Sequence, residues 1–484
     1  MHVRAAALED VDPTSLATKG RWQPILTPLM SINAVHAALL RTGKVLVVAG
    51  SGAIEHNPPR AALWDPVTHD VETIDTGWDM FCNGTVILPD GRPLVFGGTA
   101  AYPPEGAPAD DYAGLKKASI FRPFEKTFDD ASVPDMKRGR WYPTGTVLGD
   151  GRVMVFSGQN ESTVITREME IYDPATNVWT LESPAPSKPR WYPRQHLLPS
   201  GKVFISGWQR PSLVYDPASK NWAVGPATRL EGEREYGTAV LLPFTKANGF
   251  KPEVMILGGN AGGSVQNKTE LIDLSNPDHT QWRWRDGTPM TFARVQLNAT
   301  ILPDGKVLVS GGSAEPNARN PVLPAELYNP STKTFRQVAS LAKARLYHSN
   351  TLLLPDATVM AVGSNPNPPA FEYTVEIYSP PYLFTSTPRP TITSLPAAVK
   401  YGNTFAVQTP DAGTIDSVVL IRPGAPTHAF DMEQRLVELS YTAADGVLTV
   451  TAPAHGNLAP PGYYLLFILN NGVPSVGKFV KFSA

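Results

Sequence analysis

Cysteine is nearly absent from this chain: one residue in 484, Cys82, excludes an internal disulfide and leaves the redox compartment open. A lone thiol can serve as packing, nucleophile, metal ligand or modified group. Long apolar runs are missing too. Nothing approaches the roughly 18 residues that a membrane-spanning helix needs, and Met1 to Gly20 lack the apolar core of a secretory signal, so no address or localisation can be read. Charge is scarce and balanced, with 18% charged residues and a formal net charge of -2. Without a basic run there is no electrostatic footprint for nucleic acid or an anionic membrane.

Proline and glycine are plentiful, at 48 and 39 residues, which favours short strands joined by many turns over long surface helices. One unit recurs about seven times. It is an apolar strand, a Leu-Pro-Asp-Gly-like turn, a β-branched strand ending in Gly-Gly or Ser-Gly, and a Tyr-Asp-Pro-like turn followed by an aromatic. The leading strand pairs run from His36 to Gly50, Gly84 to Gly98, Gly145 to Gly158, Gln195 to Gly207, Thr238 to Gly259, Ala299 to Gly312 and Thr351 to Gly363. Turns such as Asp90-Gly91 and Asp304-Gly305 supply the positive φ of a tight hairpin. Four strands per unit, at a spacing near the kelch length, predict an all-β fold opening with a seven-bladed kelch-type β-propeller over residues 1–388. Arg21 to Met30 precede the first unit and are expected to lend a closing strand to the last blade, removing free edges.

After Leu383 the pattern stops and a Pro/Thr/Ser-rich joint follows. Strands at Thr404–Val407, Ser417–Ile421, Val447–Thr451, Tyr463–Leu469 and Gly477–Phe482 have the density of an immunoglobulin-like sandwich, assigned to residues 389–484. Its segment Arg422 to Asp431 is too rich in Pro and Gly to be strand, yet carries His428.

Four stretches concentrate chemistry at blade entrances or in that loop: Trp78 to Gly84, Arg138 to Pro143, Arg345 to Ser349 and the His428 loop. Tyr347 and His348 are adjacent at a strand mouth, and both can reach one centre only if the backbone bends there. Cys82, Tyr142 and Tyr347 stand before the first strands of three blades. Two imidazoles, two phenols and a thiol form a set that suits Cu(II). Zinc more often takes closely spaced Cys/His pairs, which are missing.

These stretches carry a resemblance to the copper radical oxidases, the galactose oxidase and glyoxal oxidase family, colinear from the first blade to the end. Asp79-Met80-Phe81-Cys82 resembles the segment of the cross-linking cysteine, and Arg140-Trp141-Tyr142-Pro143 the glyoxal oxidase form of its partner tyrosine segment. Arg345-Leu346-Tyr347-His348-Ser349 resembles the axial tyrosine and first histidine. Thr427-His428, with Asp431 and Gln434-Arg435, resembles the loop of the second histidine. The resemblance implies a Cys82–Tyr142 thioether, copper held by Tyr142, Tyr347, His348 and His428, and Tyr347 as general base. The implied reaction oxidises a primary alcohol or hydrated aldehyde and reduces O2 to hydrogen peroxide, in a monomer. Secretion or a cell-envelope location goes with the family.

The chain departs from galactose oxidase at the substrate side. Counted without gaps from Tyr142, Asn160 occupies the place of the tryptophan that covers the cross-link, so the radical loses that cover unless Trp141 or another ring supplies it. The sugar-contacting arginine has no aligned match. Arg194 and His196 are possible substitutes, although His196 reads more simply as a satisfied loop histidine. No segment resembles the N-terminal carbohydrate-binding module of galactose oxidase, which favours a small alcohol or aldehyde over a hexose. A propeller that binds protein or glycan is the rival reading, and a copper site without the radical is a third. His36, His56, His69, His279 and His455 are assigned to loops and surface.

Overall fold

The structure is a computed structural model that describes residues 13–52, 54–108, 111–316, 319–365 and 371–484. Among these residues lie one short α-helix, Pro13–Lys19, a few 3-10 turns, and otherwise strands and loops. No helix among them is long and apolar enough to cross a membrane.

Among the described residues from 21 to 379 there are seven four-stranded antiparallel sheets and two short two-stranded ones. Their innermost strands are His36–Leu39, Gly84–Ile87, Thr144–Val147, Arg194–Leu197, Thr238–Leu241, Asn298–Ile301 and Asn350–Leu353, each starting within one residue of its sequence expectation. Each innermost strand neighbours the next, and the seventh returns to the first, so they form a closed circuit. The circuit is sealed by the strand Arg21–Ile25, which pairs with Val375–Ser379 at the outer edge of the seventh sheet, as its position before the first repeat led one to expect. Burial falls outward: His36–Leu39 is buried throughout, whereas the outermost strand of the same sheet, Val71–Asp75, is mostly exposed.

The glycine doublets join neighbouring sheets. Gly98, Gly259 and Gly312 donate their N–H to the carbonyls of Arg140, Arg294 and Arg345, at 2.9, 2.8 and 2.7 Å. A Cβ on the preceding Gly97, Gly258 or Gly311 would strike that same carbonyl.

Those arginines belong to a second recurring device. Arg140, Arg234, Arg294 and Arg345 are buried and pair with Glu170, Glu270, Glu326 and Glu376 at 3.0, 2.9, 3.1 and 3.0 Å. Each glutamate lies on the third strand of its sheet and also accepts a backbone N–H from the chain entering the innermost strand: from Lys137 at 2.6 Å, Arg229 at 2.6 Å, Thr291 at 2.7 Å and Ala342 at 2.7 Å. Four entrance loops are thereby fastened by the same buried ion pair.

Beyond residue 398 a larger sheet contains Ala398–Lys400, Lys478–Ser483, Gly462–Asn470, Ser417–Arg422 and Arg435–Leu439 in that order. Facing it is a three-stranded sheet of Thr404–Gln408, Val447–Thr451 and Tyr441–Ala444. Their inner faces share one apolar cluster, including Val407, Val450, Leu420, Ile468 and Phe482. Arg435–Leu439 and Tyr441–Ala444 are strands that the sequence reading did not mark.

Candidate metal centre

At six sheets the residue two positions before the innermost strand adopts a left-handed backbone: Cys82 (φ 60°), Tyr142 (φ 65°), Tyr192 (φ 44°), Tyr236 (φ 53°), Gln296 (φ 57°) and His348 (φ 63°). Such a conformation costs a non-glycine residue roughly 1–2 kcal/mol, so a recurring set of six requires support from its surroundings. At Tyr142, Tyr236, Gln296 and His348 the Arg–Glu clamps lie directly upstream. The expected bend at the Tyr347-His348 strand mouth is therefore present, with one correction of register. The residue equivalent to Cys82 and Tyr142 is His348, and Tyr347 stands one place earlier.

The left-handed turns also bond to one another. Tyr142 donates its N–H to the Cys82 carbonyl at 3.0 Å, and Tyr192 donates to the Tyr142 carbonyl at 3.0 Å. Cys82, Tyr142, Tyr192, Phe81, Trp141, Val35 and Phe430 form one buried cluster, with Tyr347 packed against it and partly exposed.

The C-terminal segment reaches this cluster by running along the inner strands. Ala37 and Leu39 donate to the carbonyls of Pro426 and Gly424, both at 3.0 Å. Ile87 donates to Glu433 at 3.3 Å, Gln195 to the Met432 sulfur at 3.2 Å, and Ile301 to Gln434 at 2.9 Å. Four of the seven inner edges thus find partners in one plug, which satisfies backbone groups that would otherwise be orphaned. Inside the plug one carboxylate oxygen of Asp431 accepts the N–H groups of Ala425, Glu433 and Gln434 at 3.2, 3.0 and 3.2 Å, shaping the loop that carries His428.

Donor atoms of Cys82, His348 and His428 all lie within 4.8 Å of one another. The Tyr142 and Tyr347 phenols are in hydrogen-bonding contact. Ring centroids are 4.6 Å apart for Tyr142 and His428, 3.9 Å for Tyr347 and His348, and 4.6 Å for the two imidazoles. All five residues expected to carry the chemistry therefore meet.

Hydrogen bonding fixes the imidazole tautomers. The Thr427 hydroxyl donates to the Val35 carbonyl at 3.1 Å, which uses its only proton. It must then accept from His428 Nδ1, 2.6 Å away, so Nε2 keeps its lone pair. His348 Nδ1 lies 3.3 Å from Asn365 Oδ1, which also accepts from Asn33 at 2.8 Å, so Nδ1 is the donor there too. His348 Nε2 is buried without a partner. Burial, offset slightly by Asn365, lowers the His348 pKa to about 3, and burial lowers that of His428 well below the usual range. Two neutral imidazoles, His348 with its Nε2 unpartnered and His428 with its Nε2 3.6 Å from the Cys82 sulfur, are in metal-ligating form. Burial, then Asp79, pushes the Cys82 thiol up. The set of two imidazoles, two phenols and a thiol fits copper better than a hard oxygen-seeking cation.

The remaining expected residues fall into distinct roles. Trp141 covers Tyr142, with ring centroids 4.0 Å apart and planes at 42°. Asn160 does not cover it; its side-chain oxygen accepts from Ser162 and Val164 at 2.9 and 3.1 Å and shapes its own turn. Arg194 and His196 lie on a buried strand rather than in a loop. Arg194 donates to the carbonyls of Tyr192 and Gly237 and sits 4.2 Å over the Phe430 ring, so its guanidinium is committed internally. His196 is not satisfied: its Nε2 has no partner, and burial followed by Arg435 and Arg194 lowers its pKa to about 3.

Two further residues escaped the sequence reading. His36, assigned to loop or surface, is 2% exposed on the first inner strand, with its ring 5.8 Å from that of His428. Tyr192 lies 4.4 Å from Tyr142 and 4.7 Å from His428 by ring centroid, its phenol donating to the Asn83 carbonyl at 2.7 Å. The repeat of Arg140-Trp141-Tyr142-Pro143 as Arg190-Trp191-Tyr192-Pro193 was its available signal.

The chain belongs to the copper radical oxidases, the galactose oxidase and glyoxal oxidase family: residues 60–382 match the profile described as glyoxal oxidase N-terminus, and residues 389–482 that of the galactose oxidase-like early set domain. Among particular relatives, it is 28% identical over 529 aligned residues to an aldehyde oxidase GLOX of Vitis pseudoreticulata, covering 96% of this chain and 97% of that one. To a galactose oxidase of Gibberella zeae it is 27% identical, over 96% of this chain and 70% of that protein. A solved fungal alcohol oxidase of the AA5 family, in complex with copper, superposes with a TM-score of 0.83 at 25% identity, over 96% of this chain and all of its own.

Proposed function

We propose that this protein oxidises a small primary alcohol or hydrated aldehyde and reduces O2 to hydrogen peroxide, at a copper site paired with a Cys82–Tyr142 thioether. The closed circuit of seven sheets is read as a seven-bladed propeller, with its C-terminal boundary near Arg389, and the two sheets beyond as an immunoglobulin-like domain. The observation that carries the reading is the convergence of Cys82, Tyr142, Tyr347, His348 and His428 from four distant stretches onto one buried point.

On this reading Tyr142, Tyr347, His348 and His428 would hold the metal. Copper held there would supply one-electron redox capacity, the acceptor for the second electron of the two-electron oxidation. Formation of the thioether replaces the Cys82 S–H and one Tyr142 ring C–H by a C–S bond, with two hydrogens passing to O2. Sulfur on the ring delocalises an unpaired electron and eases oxidation of the phenol. Tyr347 is the partly exposed member of the set, and its phenolate takes the hydroxyl proton of the substrate. The Tyr142 radical then takes a hydrogen atom from the substrate carbon, and O2 later accepts both electrons and both protons.

Support for a small substrate comes from Arg194, whose internal bonds leave it unavailable to a sugar hydroxyl. The deciding experiment is mass spectrometry of copper-treated, aerated protein. Its intact mass is expected to fall by two hydrogen atoms, with Cys82 resistant to alkylation after unfolding and reduction. A free Cys82 thiol and an unmodified Tyr142 peptide in active, copper-loaded protein would overturn the radical mechanism.

A further inference from the structure

We propose that Trp141, Tyr112 and Tyr102 form a path for single electrons between Tyr142 and the protein surface, by which an outer-sphere one-electron oxidant or reductant sets the redox state of the site. The proposal rests on the tyrosyl-radical reading given above.

The rings follow one another without a gap. From Tyr142 to Trp141 the centroids are 4.0 Å apart, and from Trp141 to Tyr112 they are 4.4 Å apart with planes at 7°, a close stack. From Tyr112 to Tyr102 the distance is 5.3 Å at 61°. Trp141 is 4% exposed, whereas Tyr112 and Tyr102 are half-buried and open to solvent. Both tyrosines sit beside the paired strands Thr99–Ala101 and Ala113–Gly114, which follow the glycine doublet of the second sheet. Tryptophan and tyrosine are the side chains most readily oxidised by one electron, so this sequence of rings carries a hole where phenylalanine would not.

The outer end has the chemistry that a tyrosine relay requires. A surface phenol that is left oxidised must also lose its proton. Tyr102 donates its O–H to Asp79 Oδ2 at 2.9 Å, and Asp79 is fixed because its other oxygen accepts the N–H groups of Ser51 and Phe81 at 2.8 and 3.0 Å. A metal-complex oxidant such as ferricyanide takes one electron from Tyr102 while the proton moves to Asp79. The hole passes through Tyr112 and Trp141 to Tyr142, which as a copper ligand would already be a phenolate with no proton to lose, and the proton returns to Tyr102. The net change is one electron removed from Tyr142 and one added to the oxidant, with no atoms gained or lost. On the opposite face of Tyr142 the rings are less closely linked to solvent: Tyr192 is buried with its phenol bonded to Asn83, and the partly exposed Trp191 is 6.2 Å away.

The test uses copper-loaded enzyme, reduced to its radical-free form and mixed anaerobically with ferricyanide while the radical absorption is followed. Tyr112→Phe and Tyr102→Phe keep the ring packing and remove the oxidisable phenol. Each is expected to slow radical formation severalfold, with O2-dependent turnover of the already activated enzyme retained. Radical formation at the unsubstituted rate in both variants would overturn the path. So would turnover falling in parallel, since that result means the rings serve packing alone. If unsubstituted copper-loaded protein gives no radical absorption with ferricyanide, the radical mechanism itself fails and the path fails with it, a result distinct from failure in the variants alone.

Discussion

At the scale of single residues, the roles of the donors follow from their second partners. Tyr347→Phe is expected to keep copper and the cross-link but lower turnover by roughly 10²–10⁴, the usual loss for a general base; an unchanged rate in steady-state kinetics would move the base elsewhere. Thr427 fixes the tautomer of His428 through a single hydroxyl proton already given to Val35. Thr427→Val removes that acceptor and is expected to weaken copper binding by about 10–100-fold, the range for loss of an outer partner of a ligating histidine. Titration against a competing chelator measures it. The low imidazole pKa values add a pH signature. A histidine whose pKa is lowered is already neutral across the ordinary imidazole range, so copper binding displaces no imidazole proton there. Proton release per copper, followed in weakly buffered solution, is therefore expected not to rise between about pH 7.5 and pH 5.5, whereas ordinary imidazoles would release additional protons over that interval.

At the scale of elements, the repeated Arg–Glu clamp separates stability from site geometry. Removing one partner of a buried pair leaves the other charge uncompensated, which costs about 3–5 kcal/mol. Glu270→Gln and Glu376→Gln are both expected to lose stability of that order in denaturant titrations, because both pairs are buried and both glutamates also hold entrance-loop amides. Copper affinity distinguishes them. Glu376 supports the turn that carries His348, whereas Glu270 supports the turn that carries Tyr236, so the larger fall in affinity belongs to Glu376→Gln. Equal falls would mean that the clamps act only through global stability.

At the scale of the whole molecule, the site is assembled by two regions of the chain. His428 arrives on a plug whose bonds run to Ala37, Leu39, Ile87, Gln195 and Ile301 on four separate sheets. A chain ending at Pro388 is expected to lose copper affinity even where its strands persist, since it lacks His428 and leaves inner-edge amides unpaired. Copper binding at full affinity by residues 1–388, measured by calorimetry, would remove His428 from the ligand set.

What the sequence determined by itself was the local and the periodic. Leu-Pro-Asp-Gly turns, glycine doublets and alternating apolar strands are short-range signals, and they located the leading strand pair of all seven sheets. The colinear motifs likewise singled out Cys82, Tyr142, Tyr347, His348 and His428, because those residues lie at recurring positions of the repeat or in a loop whose composition excludes strand. Third strands without the Tyr-Asp-Pro turn, such as Ala118–Arg122 and Thr269–Asp273, left no comparable mark. Only the tertiary structure decided that His348 rather than Tyr347 shares register with Tyr142, that His36 and Tyr192 border the site, and that Trp141 covers the phenol while Asn160 turns away. Each depends on a left-handed residue or on a contact across hundreds of positions, and a change of one residue in register reverses which side chain faces the axis.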